Sequence, residues 1–411
     1  SPLRCLVLAD TFPSALEPWR GPYNRRQIEC LARLCRVTAM DPMPWPRLLR
    51  DRRAWALSAR PDGVLEGMTI HHPVFWYLPV LGRGRTWRGV ASAVERALAR
   101  EPDARWDVIL ATFAYPHGLA AKRLAERMGV PYLIKARGTD LHSLPASGAR
   151  RELTAEAVRG AAAVVAVSRT LADIALQLGA RPDGVRVLTN GIDAEAFQVL
   201  DRAGARRELG LPESDKLVLF VGSLLPVKGI DVLMEAFLAM RARNPALFAR
   251  THLLIAGEGP KRSWVVRRMA DEGLGGSVKL LGHVGRERIA RLMSAADVLA
   301  LPSRNEGCPN VVLEALACGT PVVAARVGAV PDLLDESCGI IVPPEDPAQF
   351  AAAMEQALAK PWDRAALRRR VEGMSWEANA QALYEMLLQT VSSFTTKTPR
   401  HEERRFGSGS I

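Results

Sequence analysis

The stretch "LPSRNEGCPNVVLEALACGTP" (residues 301–321) sets the reading of this chain. Glu306 stands in a loop with Gly307, Pro309 and Asn310, and the loop runs straight into an apolar helix that carries a second glutamate, Glu314. A helix start leaves backbone N–H groups unpaired and carries the positive end of the helix dipole, so this turn suits an anion. The flanking runs "DVLALPS" (297–303) and "PVVAARVG" (321–328) are short and rich in β-branched and apolar residues, which predicts strands. Strand, glycine-bearing turn, helix and strand in succession make one unit of a parallel sheet covered by helices.

The same alternation extends in both directions. Upstream in the second half lie "KLVLFVGS" (216–223), "HLLIAGEG" (252–259) and "VKLLGHV" (278–284), and downstream "CGIIVPP" (338–344). The first half repeats the pattern with "RCLVLAD" (4–10), "MTIHHP" (68–73), "WDVILAT" (106–112), "PYLIKARG" (131–138), "AAVVAVS" (162–168) and "VRVLTNG" (185–191). The reading is an α/β chain of two doubly wound domains, residues 1–195 and 196–374. A closing helix, 375–394, is expected to pack back toward the first domain, and the polar tail 395–411 is expected to be disordered. Residues 41–67, with "DPMPWP" and a basic run, read as a mobile excursion from the sheet. Ligands of such sheets collect outside the carboxyl ends of the strands, and two domains facing each other make a cleft there.

Net charge is +11, and its distribution is uneven: residues 1–190 hold 28 Lys and Arg against 17 Asp and Glu, whereas 191–411 hold 27 of each. The excess asks for an anionic partner. The run "RLLRDRRAWALSAR" (47–60) includes Trp55, and Trp19, Trp45, Trp76 and Trp87 lie nearby, a mixture that suits an anionic membrane surface better than a nucleic-acid groove. A solvated basic surface is the plainer alternative. No apolar stretch is long enough to span a bilayer, and the first residues lack a signal-peptide pattern, so a cytoplasmic protein, peripheral on the membrane's inner face, is expected. The six cysteines form no CxxC pair, which argues against zinc and against a disulfide framework.

Each strand end of the second half carries chemistry. "FVGSLLPVKGID" (220–231) puts Gly222 and Ser223 after a strand and Lys228 at a helix start, an arrangement for a diphosphate. "AGEGP" (256–260), with Gly257 and Gly259, and "LGHV" (281–284), with His283 and Val284, let a backbone approach a flat base. A dinucleotide dehydrogenase would also have two such domains, but "VLADTFPSALEPW" lacks G-x-G-x-x-G and "GEGPKR" lacks its third glycine.

The Glu306-x7-Glu314 pair with Gly307, Pro309, Asn310 and "ALACGTPVVAA" resembles the signature of retaining GT-B glycosyltransferases of family 4, and "NGID" (190–193), "VGSLLPVKG" (221–229) and "GEGP" resemble further landmarks of that family. The resemblance implies two Rossmann-like domains, the second holding a UDP-, GDP- or ADP-sugar and the first a glycan or lipid-linked acceptor, with no cofactor or metal. It implies that Glu314 binds the ribose hydroxyls. Glu306 would stand near the reacting carbon of the sugar, and amides from Gly307 through Val311 to Val312 would complete the pocket. The family's diphosphate-binding arginine falls at Ser223, leaving Lys228 with Arg304, or Arg137 of "KARGTDLH", as the sources of further positive charge. In "RGPYNRRQ" (20–27) Gly21 matches a phosphate-proximal loop glycine, and Pro22 replaces its usual glycine neighbour. His117 in "YPHGLAA" resembles a position that contacts the donor sugar. Asp140 either binds an acceptor hydroxyl or caps the following turn, and Asn190 is placed toward the acceptor.

Overall fold

The computed structural model describes residues 2–9, 11–14, 16–17, 20–51, 53–54, 64–65, 67–77, 85–101, 103–144 and 147–397. Strands of the first domain are β1 (Arg4–Leu8), β2 (Arg36–Met40), β3 (Met43–Pro44), β4 (Val64–Leu65), β5 (Met68–His71), β6 (Val74–Phe75), β7 (Val108–Ala111), β8 (Tyr132–Ala136), β9 (Ala163–Ala166) and β10 (Val185–Val187). Those of the second are β11 (Lys216–Val221), β12 (Thr251–Ala256), β13 (Val278–Gly282), β14 (Val298–Leu301), β15 (Val322–Ala325) and β16 (Gly339–Val342). The first sheet runs β10-β9-β8-β7-β1-β2-β5-β4 and the second β13-β12-β11-β14-β15-β16, with β3 and β6 forming a separate small ribbon. Among the described residues, every pairing between these strands is parallel except β4 with β5. The second order is that of a dinucleotide-type doubly wound sheet, whose direction of winding reverses between β11 and β14; in the first sheet it reverses between β1 and β7.

Both sheets are covered on two faces. Along β1, Leu6 and Leu8 enter one core while Cys5 and Val7 enter the other; along β11, Leu217 and Leu219 alternate in the same way with Val218 and Phe220. This is the two-residue period of a strand buried on both sides, and it explains why these strands read as unbroken apolar runs.

Two expectations are corrected. The strand β2, "RVTAM", escaped the sequence reading because Arg36 is exposed and Thr38 half-buried, so its pattern lacks a continuous apolar run. Part of the excursion at 41–67 is ordered: β3 pairs with β6, and a short helix follows at Pro46–Arg50, while 55–63 lie outside the described residues.

Helices that shape the site are α1 (Pro22–Ala32), α2 (Pro46–Arg50), α3 (Thr86–Leu98), α4 (Arg169–Gln177), α5 (Ile230–Arg243), α6 (Asn310–Ala317) and α7 (Trp376–Lys397). The helix α7 returns from the second domain to the first, where Trp376, Ala380, Leu383 and Leu387 are buried with Leu3, Cys5, Ile28 and Leu31. It continues to Lys397, into the segment read as a tail, and 398–411 lie outside the described residues. The chain thus crosses between domains twice, and the crossings run side by side: Ile192 donates its N–H to Met374 O at 2.7 Å. A Cβ on Gly191 would sit 2.7 Å from the Trp376 backbone.

Candidate active site

The loops after β11 and β14 meet where the second sheet reverses. Gly229, in the left-handed region at φ 66°, opens α5, and a Cβ there would stand 2.1 Å from Pro302 O, so only glycine permits this approach. Contact between the loops brings Lys228 Nζ to 2.7 Å from Glu306 Oε1, and the Ser303 hydroxyl donates to the same oxygen at 2.7 Å. The lysine side chain is 27% exposed and the glutamate 9%. The two side chains assigned to diphosphate and sugar therefore form an ion pair with each other. Ser223 and His283 are exposed beside this crevice, and Gly222, Gly257, Gly259 and Val284 are half-buried in its walls.

Arg304 has a different occupation from the one considered for it. Its guanidinium donates to both oxygens of Asp231, at 2.9 and 3.0 Å, to Glu345 at 2.8 Å and to Pro226 O at 2.6 Å. The two carboxylates hold its pKa above the ordinary arginine value. Four of its five N–H groups are engaged, so Arg304 braces the loops rather than offering a free fork to a phosphate.

Gly307 touches the first domain directly: a Cβ on it would lie 1.8 Å from Arg137 O. That contact seats the loop before α6 against the turn after β8. At the first position of α6, Asn310 accepts a hydrogen bond from Asn190 Nδ2 at 2.8 Å, so both asparagines are engaged in a clasp between domains. Glu314, four residues on and therefore on the same face of α6, is 7% exposed and accepts from the Tyr23 hydroxyl at 3.2 Å. Burial pushes the Glu314 carboxyl up to about 7, against the lowering effects of Tyr23 and Arg286; Asp193 pushes it further up. Val311 is half-buried beside these residues.

In the first domain, Gly21 is left-handed at φ 59° and immediately precedes α1. Pro22 takes the first helical position, where no N–H donor is required. His117 lies 4% exposed in the turn Ala114–Gly118 after β7, and buried Asp41, whose carboxyl pKa burial pushes up, faces His72 Nδ1 at 3.3 Å and Arg20 at 3.5 Å. Asp140 is fully buried and accepts from the N–H groups of Arg137 (3.1 Å), Gly138 (2.9 Å) and Ala114 (3.1 Å). The bonds run back to the turn before Asp140 rather than forward to the one expected after it, and they staple the Arg137 turn to the turn that carries His117.

Two residues in this region escaped the sequence reading. Tyr23 follows Gly21 and Pro22 in a loop already placed near the phosphates, and a phenol there was the available signal. Lys135 is fully buried, donates to Gln27 Oε1 at 2.5 Å, and is held well below its ordinary pKa by desolvation. Its place inside an apolar strand hid it. Beside Glu306 the domain seam opens into a cavity of about 380 Å³ with His142 and Thr170 on one wall and Asn305 and Arg326 on the other.

Two family models cover nearly the whole chain: Glycosyltransferase Family 4 over residues 22–196 and Glycosyl transferases group 1 over 201–374. The chain belongs to this family of GT-B glycosyltransferases. It is 32% identical over 321 residues to the D-inositol 3-phosphate glycosyltransferase of Stackebrandtia nassauensis, covering 74% of this chain and 72% of that protein. It is 36% identical to the corresponding enzyme of Saccharomonospora viridis over 226 residues, about half (52%) of each chain. TuaC of Bacillus subtilis, a glycosyltransferase assigned to teichuronic acid biosynthesis, is 29% identical over 86% of this chain and 88% of its own. Among solved structures, sucrose-phosphate synthase from Thermosynechococcus elongatus superposes with a TM-score of 0.73 at 22% identity, covering 95% of this chain and all of that one. Anabaena HepE, solved with UDP, gives 0.64 at 19% identity, covering 96% and 99%. At these identities the two structures bear on the fold alone.

Proposed function

We propose that this glycosyltransferase moves a hexosyl unit from a nucleotide diphosphate sugar to a membrane-borne glycan or lipid-linked acceptor, with retention of configuration and without a metal. The observation that carries the reading is the Lys228–Glu306 ion pair at the switch point of the second sheet. A donor diphosphate entering there takes the lysine and helix-start amides as partners, which releases Glu306 to face the sugar. Glu314 then accepts from the ribose hydroxyls once Tyr23 has given way. The acceptor hydroxyl approaches through the seam cavity on the face that the phosphate leaves. Its oxygen bonds to the anomeric carbon as the carbon–phosphate oxygen bond breaks, and the departing phosphate takes the hydroxyl proton. Closure of the domains keeps water from the donor.

TuaC supports an acceptor in cell-surface polysaccharide assembly, and the UDP complex of HepE makes UDP the first nucleotide to test. A second reading, transfer to a soluble phosphorylated polyol, is favoured by the D-inositol 3-phosphate relatives. The test is a calorimetric and thermal-shift panel of UDP, GDP, ADP, their sugar conjugates and NAD on metal-free protein. Selective binding of one nucleotide diphosphate sugar, followed by product of unchanged anomeric configuration, supports the proposal. Binding of NAD alone, or inverted product, overturns it.

A further inference from the structure

Residues 45–60 and 81–96 together hold nine arginines, no lysine and two acids, and so account for most of the chain's excess charge. Their described residues in α2 and the start of α3 lie with the β3–β6 ribbon, which continues past the carboxyl ends of β2 and β5, and together these form one edge of the first domain. This edge adjoins the cleft, because Arg47 pairs with Glu17 at 2.7 Å in the loop that leads to Gly21.

The edge also exposes apolar side chains. Leu49 is 76% exposed and Trp76 62%. Trp76 stacks on Trp45, centroids 5.3 Å apart and planes within 11°, and Trp45 is fixed by its indole N–H donating to Tyr77 O at 2.8 Å. Leu49 follows Trp45 by four residues through α2, which places both on one face. Around them stand the exposed Arg53, Arg85 and Arg88, the last lying 5.4 Å from the ring centre of Trp87. Arg53 pairs with Asp51 at 3.0 Å, so part of the charge is locally balanced and part faces outward.

We infer that this edge docks the protein on an anionic lipid surface, with Trp76 and Leu49 entering the headgroup boundary and the arginines meeting lipid phosphates. An indole beside a leucine gains little from a nucleic-acid backbone but partitions favourably into a bilayer interface, while guanidinium groups bind phosphate. The inference deepens the membrane-borne acceptor in the proposed function by placing the cleft mouth beside the lipid. The docking itself does not depend on catalysis.

The test uses the full chain with phosphatidylcholine vesicles, with and without phosphatidylglycerol, at low and high salt. Cosedimentation with the anionic vesicles alone, weakened by salt, is expected. Leu49→Ser with Trp76→Ala, and separately Arg53→Glu with Arg88→Glu, should each weaken it by at least about tenfold, leaving the nucleotide-induced thermal shift unchanged. Absence of vesicle binding, equal binding to neutral vesicles, or undiminished binding by both double variants overturns the inference. So does displacement by duplex RNA with no loss in the Leu49/Trp76 variant, or a change in the protein's own sedimentation that assigns the edge to self-association. A nucleotide response without vesicle binding sinks the docking surface and leaves the transferase reading standing; vesicle binding without a nucleotide response does the reverse.

Discussion

Between β11 and β14 the second domain sets an ammonium against a carboxylate, Lys228 on Glu306 at 2.7 Å, with the lysine still partly open to the cleft. Between β1 and β7 the first domain buries His117 and Asp41, and the neighbouring turn is held by Asp140 through three backbone N–H groups. Both crevices arise from the same reversal of winding. One contains an ion pair whose lysine is still open to the cleft, and the other a buried carboxylate, Asp41, beside a turn closed by three backbone bonds. A doubly wound sheet therefore provides the place for a site, and the separability of its polar contacts decides whether that place recognises charge or holds shape.

The strongest test of that contrast is Glu306→Ala. Turnover should fall about a thousandfold, while nucleotide diphosphate affinity measured by calorimetry is kept or rises, because Lys228 loses its internal competitor. Equal loss of both would make the pair structural, like its counterpart in the first domain. Asp140→Ala should do the opposite, removing about 4 kcal/mol of stability in denaturant unfolding because three buried donors lose their acceptor. A stable variant with impaired acceptor use would instead place Asp140 among the ligand contacts.

Glu314 lies between the two cases, and its pH dependence can be signed. Its pKa of about 7 lies above the ordinary 4.5, so between those values the native state holds a proton that the unfolded chain has released. Stability from this group is full below pH 4.5 and is lost as pH rises through 7, by up to about 3 kcal/mol. Glu314→Gln should flatten that slope in unfolding titrations. If the carboxylate receives ribose hydroxyls, nucleotide affinity runs the other way and strengthens through pH 7 in the natural protein only. The smallest effect is expected for Tyr23→Phe: removing the phenol that occupies Glu314 should tighten nucleotide binding about threefold, within the net value of one hydrogen bond. Weakened binding would mean that Tyr23 assists the nucleotide rather than standing in its way.

The second domain was the more legible half. Its strands are apolar runs, and its polar residues sit at strand ends within a few positions of glycines, so sheet and site could be read together. In the first domain β2 was hidden by Arg36 and Thr38. The burial of Lys135 depends on Gln27, 108 residues away, and no local pattern reports that distance. Arg304 shows the same limit within the better-read half: its charge was visible, but Asp231 and Glu345, 73 and 41 residues away, decide its use. Spacing along a chain identifies which side chains reach a crevice. Their commitments to one another are fixed by tertiary contacts.

The return of α7 bears on the order in which the protein can be made. Trp376, Ala380, Leu383 and Leu387 are interior residues of the domain that begins with β1, yet they are translated after the whole second domain. The amino-terminal half must therefore wait on the ribosome with one side of its core uncovered, while the middle of the chain can finish folding first. A message cut short before Trp376 would yield a second domain with all its strands and a first domain lacking its last wall.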